Sequence, residues 1–189
     1  MNIKSGPNLG TLRTKPLIFL DLETTGFFPG RHEIIEIGAL KVEPQKPFKV
    51  LAEFELKVSP KALEKADSAA LKVVGFTSEE WMAAVELDGA LKLLGEFTEG
   101  GILAGYNVSF DWSFLTFAYS LLGQDDPFHY HRLDVMSMAY AKLYKKRAVT
   151  KFSLKEICSY LKIPQKHAHR ALADAQTTYL VFKKLIDLD

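Results

Sequence analysis

The stretch Leu17-Ile18-Phe19-Leu20-Asp21-Leu22-Glu23-Thr24-Thr25-Gly26 constrains this chain more than any other. Four consecutive apolar side chains without alternation describe a strand covered on both faces, hence a central place in a sheet. That strand then runs into two acids. Asp21 and Glu23 are two residues apart, so in extended backbone they point to the same face. Two carboxylates side by side repel, and burying them without partners is costly. A divalent cation answers both problems. An arginine for Asp21 and solvent for Glu23 would answer them too, and the pair alone does not choose. Gly26 frees the backbone for a tight exit, while Thr24 and Thr25 set small hydroxyls and amides beside the acids.

The pattern downstream supplies the rest of the sheet. Residues 34–42 are rich in β-branched and aliphatic side chains and predict a second strand. Residues 49–58 alternate, with Val50, Ala52, Phe54, Leu56 and Val58 on one face, which predicts a half-solvated strand near the sheet edge. Short connections make these three strands an antiparallel meander. Thr77-Ser78-Glu79-Glu80 has the spacing of a capping box and predicts a helix carrying Trp81, Val85, Leu91, Leu94 and Phe97. A short strand over 102–106 leads to a helix over 110–122. That helix is apolar nearly all round and so expected to be buried, with Ser109 as its N-cap. A last strand over 129–133, a helix over 134–143, a capped short helix over 153–161 and a final helix over 170–188 complete the order. Three meandering strands followed by alternating helices and strands predict an α/β fold with a mixed five-stranded sheet, its last two strands parallel to the first, and helices on both faces. In such sheets a site is expected where the central strands end, which is where Asp21 and Glu23 lie.

Composition bounds the function. With 189 residues the chain suffices for a single domain over 16–189. A polar, flexible tail over 1–15 precedes it and lacks the apolar segment of a signal peptide. No apolar run is long enough to cross a bilayer. The one cysteine, Cys158, excludes an intramolecular disulfide, fits a reducing cytoplasm and falls on an apolar face with Leu154, Ile157 and Leu161. A net charge of +1 argues against gripping long duplexes by phosphate neutralisation, but permits binding a short single-stranded end. The run Lys145-Lys146-Arg147, with Lys142 and Lys151, is either solvated surface or a means of steering phosphates.

Three further residues can join the first acids. Asp111 falls in the first turn of the helix over 110–122, where the helix dipole would stabilise it and where it could equally serve as a metal ligand. Asp174 sits at the border of the stripe Ala171, Ala175, Tyr179, Phe182 and Ile186, so it needs a cation or donors, or else a salt bridge to a neighbour. His169 stands on the loop entering the final helix. Its imidazole suits proton removal at neutral pH, whereas His32, His129 and His131 are read as surface or core fillers.

Taken together, Asp21-Leu22-Glu23-Thr24-Thr25-Gly26, Asn107-Val108-Ser109-Phe110-Asp111 and His169-Arg170-Ala171-Leu172-Ala173-Asp174 resemble the three exonuclease motifs of the DEDDh family. Ile34-Ile35-Glu36-Ile37-Gly38 looks like the same family. The resemblance spans about 17–185 and implies a ribonuclease H-like fold and a 3′→5′ exonuclease. Proofreading exonucleases of bacterial replicative polymerases, ribonuclease T and oligoribonuclease belong to that family. It implies two divalent ions, Mg²⁺ or Mn²⁺, with Asp21 bridging both, Glu23 and Asp174 completing one, and Asp111 helping to place the other. His169 would take the proton of the attacking water, and nucleoside 5′-monophosphates would leave. Thr24, Thr25, Gly26, Asn107 and Phe110, with Phe27, would contact the terminal nucleotide. Single-stranded DNA ends are favoured as substrate, either in proofreading, with a polymerase as partner, or in repair. RNA trimming, short-oligoribonucleotide hydrolysis and a non-catalytic binding module are the alternatives. One departure is Tyr106, where the family often carries His; it neighbours the site and replaces no ligand.

Overall fold

A computed structural model describes residues 12–98, 100–165 and 168–188. Strand β1 (Leu17–Thr24) pairs antiparallel with β2 (Ile34–Val42), which pairs antiparallel with β3 (Val50–Lys57). On the other side of β1, β4 (Ile102–Gly105) and then β5 (Arg132–Asp134) run parallel to it, giving the order β3-β2-β1-β4-β5. The expected mixed five-stranded sheet is therefore present. The helices are α1 (Ser68–Val74), α2 (Leu87–Thr98), α3 (Val108–Leu121), α4 (Val135–Leu143), α5 (Leu154–Leu161) and α6 (Ala171–Ile186).

The sheet separates two cores. Leu17 and Phe19 of β1, Leu40 and Val42 of β2 and Ile102 of β4 face α4, α5 and α6. Ile18, Leu20 and Leu22 of β1, with Ile37, Ala39 and Leu103, face α2 and α3. This alternation on a doubly covered strand is what sets the direction of the acids that follow.

Several expectations need correction. Helix α1 is missing from the expected elements, although its caps are written in the sequence. The Asp67 carboxylate accepts the Ala69 N–H at 2.8 Å, and Gly75 ends the helix at φ 70°. The segment 77–86 forms turns, not the start of a helix. The Thr77 hydroxyl does accept the Glu80 N–H at 3.1 Å, yet Trp81 then leaves the helical path. Its indole is buried and donates to Ile35 O at 2.8 Å, and Val85 bridges to Val58, so burial outcompetes helix propagation and α2 begins only at Leu87. Gly89 lies inside α2.

Helix α3 starts earlier than expected. Asn107, at φ 62°, is its N-cap, and Ser109 is already helical. Only one face of α3 is buried, with Trp112, Phe117 and Leu121 exposed on the other. Strand β5 is shifted to 132–134, and His129 is buried outside it. In α6 the buried position expected for Ile186 is taken by Leu185. Of the expected tail, residues 1–11 lie outside the described residues, and Leu12–Thr14 form a 3-10 turn.

Candidate active site

Asp21 and Glu23 continue the row of Leu17 and Phe19, so they project on the α6 side of the sheet beyond the apolar core. Their cross-strand partners on β2 are Gly38 and Glu36. Gly38 has a steric duty. A Cβ built there would lie 2.0 Å from the Leu172 nitrogen, so the first turn of α6 rests directly on the β2 backbone. That close approach carries Asp174 toward Asp21. A register shift follows Glu23 at once, the kind of bulge that re-aims side chains beside a site.

Asp111 arrives from the opposite side. The β1–β4 ladder runs only from Leu17↔Ile102 to Phe19↔Ala104, after which the left-handed Asn107 turns the chain into α3. The Leu22 N–H is thereby left without a strand partner on that side, and Asp111 Oδ1 accepts it at 3.0 Å. Asp134, the N-cap of α4, accepts the Val108 N–H at 3.2 Å and ties the starts of α3 and α4 together.

The cluster gathers four carboxyl groups, held above their ordinary range mainly by burial and, at Asp21 and Glu23, also by mutual repulsion. Burial, then Asp111, Glu23, Asp174 and Glu36, raise the Asp21 carboxyl well above its ordinary range. Glu23 is raised to about 8 by burial, Asp174, Glu36 and Asp111, with Arg170 opposing. Burial raises Asp111 to about 7, although the Leu22 N–H holds it down, and burial raises Asp174 against the His169 N–H. Carboxylate oxygens are hard donors, and a divalent cation would relieve all four groups at once. Ligand atoms of Glu23, His169 and Asp174 already lie within 4.8 Å of one another. The residues present fit such a cation.

His169 sits on the exposed segment before α6 at φ 66°. That left-handed conformation costs about 1–2 kcal/mol for an ordinary residue. Its backbone N–H donates to Asp174 Oδ2 at 3.0 Å, which fastens the histidine beside the acid.

Beside Glu23 lies a cavity of about 260 Å³ lined by Thr24, Gly26, Phe27, Ala70, Val73 and Phe110, among others. Gly26 is needed there because the His32 ring occupies the space 2.6 Å from where its Cβ would be. Two residues expected at the nucleotide do not line this cavity. Thr25 is buried, and its hydroxyl oxygen accepts the Glu33 N–H at 2.9 Å. Asn107 accepts the Ser109 hydroxyl at 3.3 Å.

Sequence reading misses α1, which supplies Ala70 and Val73, and it misses the part Glu36 plays. Glu36 is fully buried opposite Glu23, and its Oε1 accepts the Ala171 N–H at 2.9 Å. A glutamate flanked by Ile34, Ile35 and Ile37 in β2 is the available signal.

The sequence model of the family described as Exonuclease (RNase_T) matches residues 18–182. The 3′-5′ DNA exonuclease Cap18 of Escherichia coli is 30% identical over 187 residues, covering 93% of this chain and 95% of that protein. A PolC-type DNA polymerase III of Caldanaerobacter subterraneus is 28% identical over 98% of this chain, which spans only 12% of the polymerase. The nuclease domain of 3′hExo, a DEDDh family member bound to rAMP, superposes with a TM-score of 0.74 at 17% identity, covering 92% of each chain.

Proposed function

This chain belongs to the exonuclease family and is a 3′→5′ exonuclease of the DEDDh type, and on that footing we propose that it trims single-stranded DNA 3′ ends. The observation that carries the reading is the half-buried Asp21, whose carboxyl is raised by the charges of Asp111, Glu23 and Asp174, acids delivered by β1, α3 and α6. These four acids, Asp21, Glu23, Asp111 and Asp174, would hold two divalent cations, Mg²⁺ or Mn²⁺. Bound there, such cations supply Lewis acidity at the scissile phosphodiester and lower the pKa of water.

The chain's own residues do the rest. His169, on an exposed segment beside Glu23 and Asp174, removes the proton of the attacking water. Phe27 and Phe110 have ring centroids 6.3 Å apart. They offer apolar faces to the terminal base, and Thr24 and Gly26 floor the same cavity. Thr25 and Asn107 act from behind this surface by shaping the loops that carry it. The products are nucleoside 5′-monophosphates.

DNA is favoured over RNA because of the DNA exonuclease that matches nearly end to end. The PolC match supports a polymerase partner in proofreading. Among the described residues no helix is long and apolar enough to cross a membrane. A cytoplasmic enzyme formed by a single domain over 16–189 belongs to the same proposal, on the reducing compartment that the single Cys158 fits.

The test is degradation of 3′-labelled single-stranded DNA, duplex DNA, RNA and dinucleotides with Mg²⁺, Mn²⁺ or EDTA. Single-stranded DNA is expected to be cut fastest, to 5′-monophosphates, and EDTA to stop the reaction. Faster cutting of RNA would transfer the assignment to RNA trimming. Absence of cutting with either cation would leave a binding module.

A further inference from the structure

Glu36 is a residue that neither lines the substrate cavity nor belongs to the four acids, yet it is the most deeply buried carboxylate near them. It lies at 0% exposure on the face of β2 that meets α6. Its Oε1 accepts two donors from the start of that helix, the Ala171 N–H at 2.9 Å and the Arg170 Nε–H at 3.3 Å. Its Oε2 is buried and lies 3.3 Å from the same Arg170 Nε as an ion pair, but accepts no hydrogen bond of its own.

The first residues of a helix carry N–H groups with no partner inside the helix, and a short polar side chain at the N-cap normally takes one of them. Here the N-cap is Arg170, whose side chain makes no cap hydrogen bond. The missing cap comes instead from another strand, 135 residues away in sequence. Its negative charge lies at the positive end of the helix dipole. Arg170 extends the same contact outward: its Nη1 donates to Glu80 at 2.7 Å, and Glu80 also receives Lys57 at 2.5 Å. A carboxylate buried beside Glu23 with one oxygen lacking a hydrogen bond is a poor choice for stability, since an apolar side chain of similar size commonly serves as well or better. What it supplies is position. The segment it fastens, 169–174, holds His169 and Asp174, and a second close seat of that segment on β2 is the backbone contact at Gly38.

We propose that Glu36 is a positioning residue for the exonuclease reaction, a cap delivered from β2 that fixes the first turn of α6 and thereby the placement of Asp174 and His169 against Asp21 and Glu23. This rests on the exonuclease reading above. It differs from a general packing role in what it predicts for two variants, one isosteric and one shortened. Glu36→Gln keeps an oxygen for the Ala171 N–H and loses the charge. Glu36→Asp keeps the charge and withdraws the oxygen.

The experiment measures kcat and KM on single-stranded DNA, together with hydrogen exchange at the Ala171 amide, which needs no cation and no substrate. Glu36→Ala is expected to lower kcat about 100-fold, the loss that a displacement of about 1 Å brings, with KM nearly unchanged and faster exchange at Ala171. Glu36→Gln is expected to retain most of the protection and more activity than Glu36→Asp. Should Glu36→Ala fail to fold, the ranking of Gln above Asp decides. The reverse ranking, wild-type kcat in a folded Glu36→Ala, or a loss confined to KM would overturn the proposal. A wild-type protein that degrades nothing would count against the exonuclease reading instead, and the Ala171 exchange would still report on the cap.

Discussion

Asp111 and Asp174 reach Asp21 from opposite sides of β1 and are held in opposite ways. Asp111 is 3% exposed, and its carboxylate completes the hydrogen bonding of the sheet by accepting the Leu22 N–H. Asp174, in the first turn of α6, is half-buried, and its partner is the N–H of His169, five residues earlier on the exposed segment that enters the helix. One acid is part of the sheet. The other belongs to a local unit that also carries the proton acceptor and depends on Glu36 for its seat. Stability and chemistry are thus unevenly divided across the site, and each half should fail in its own way.

The largest effect is expected on the α6 side. His169→Ala should slow degradation of single-stranded DNA by about 10²–10⁴-fold while leaving cation binding intact, because it removes a proton acceptor and no carboxylate. Wild-type rates at neutral pH in this variant would reject the assigned role.

The second effect is on stability and falls on the other side. At pH 6, below the value of about 7 for Asp111, its carboxyl is largely neutral and repulsion with Asp21 is reduced. Asp111→Ala then strands a buried N–H, and should cost about 1–3 kcal/mol in urea unfolding with EDTA present. Asp174→Ala, whose donor is exposed, should cost much less under the same conditions. Equal losses would erase the contrast between the two sides.

The third effect is a pH dependence common to both. Glu23 and Asp111 have folded values of about 8 and about 7, above their ordinary 4.5 and 3.8. The folded protein thus holds protons that the unfolded chain releases, and stability falls as pH rises through this window. In EDTA, Tm should drop between pH 5 and 8.5. The gain in Tm on adding Mn²⁺ should grow over the same range, since the cation replaces those protons. A Tm that rises with pH in EDTA would contradict the arrangement of acids.

The smallest effect concerns the basic run, all of it exposed. Replacing Lys145, Lys146 and Arg147 with Ala should raise KM a few-fold and flatten its salt dependence, with kcat nearly unchanged. An unchanged KM would leave these residues as solvated surface.

Much of this can be read from the chain itself, for identifiable reasons. β1 and β2 are legible because a doubly covered strand admits little besides apolar residues, and the acids that interrupt β1 mark where the cover ends. Asp174 is legible because it sits on the border of an apolar stripe. The segment 77–86 misleads because a capping box is a local signal, while Trp81 answers to Ile35 from elsewhere in the chain. Glu36 looks like one more letter of a family pattern, and its partner lies at Ala171. Thr25 shows the same limit in small: whether a hydroxyl is free for a nucleotide depends on Glu33, which the loop brings to it.

The decisive experiment is a Mn²⁺ titration of the wild-type protein and of Asp21→Ala at pH 8, followed by calorimetry or electron paramagnetic resonance. Two ions should bind each wild-type chain, and the substitution should abolish or gravely weaken both, because Asp21 stands between the acid from α3 and the acid from α6. Undiminished binding in Asp21→Ala, or none in the wild type, would mean that these carboxylates do not form a common cation site.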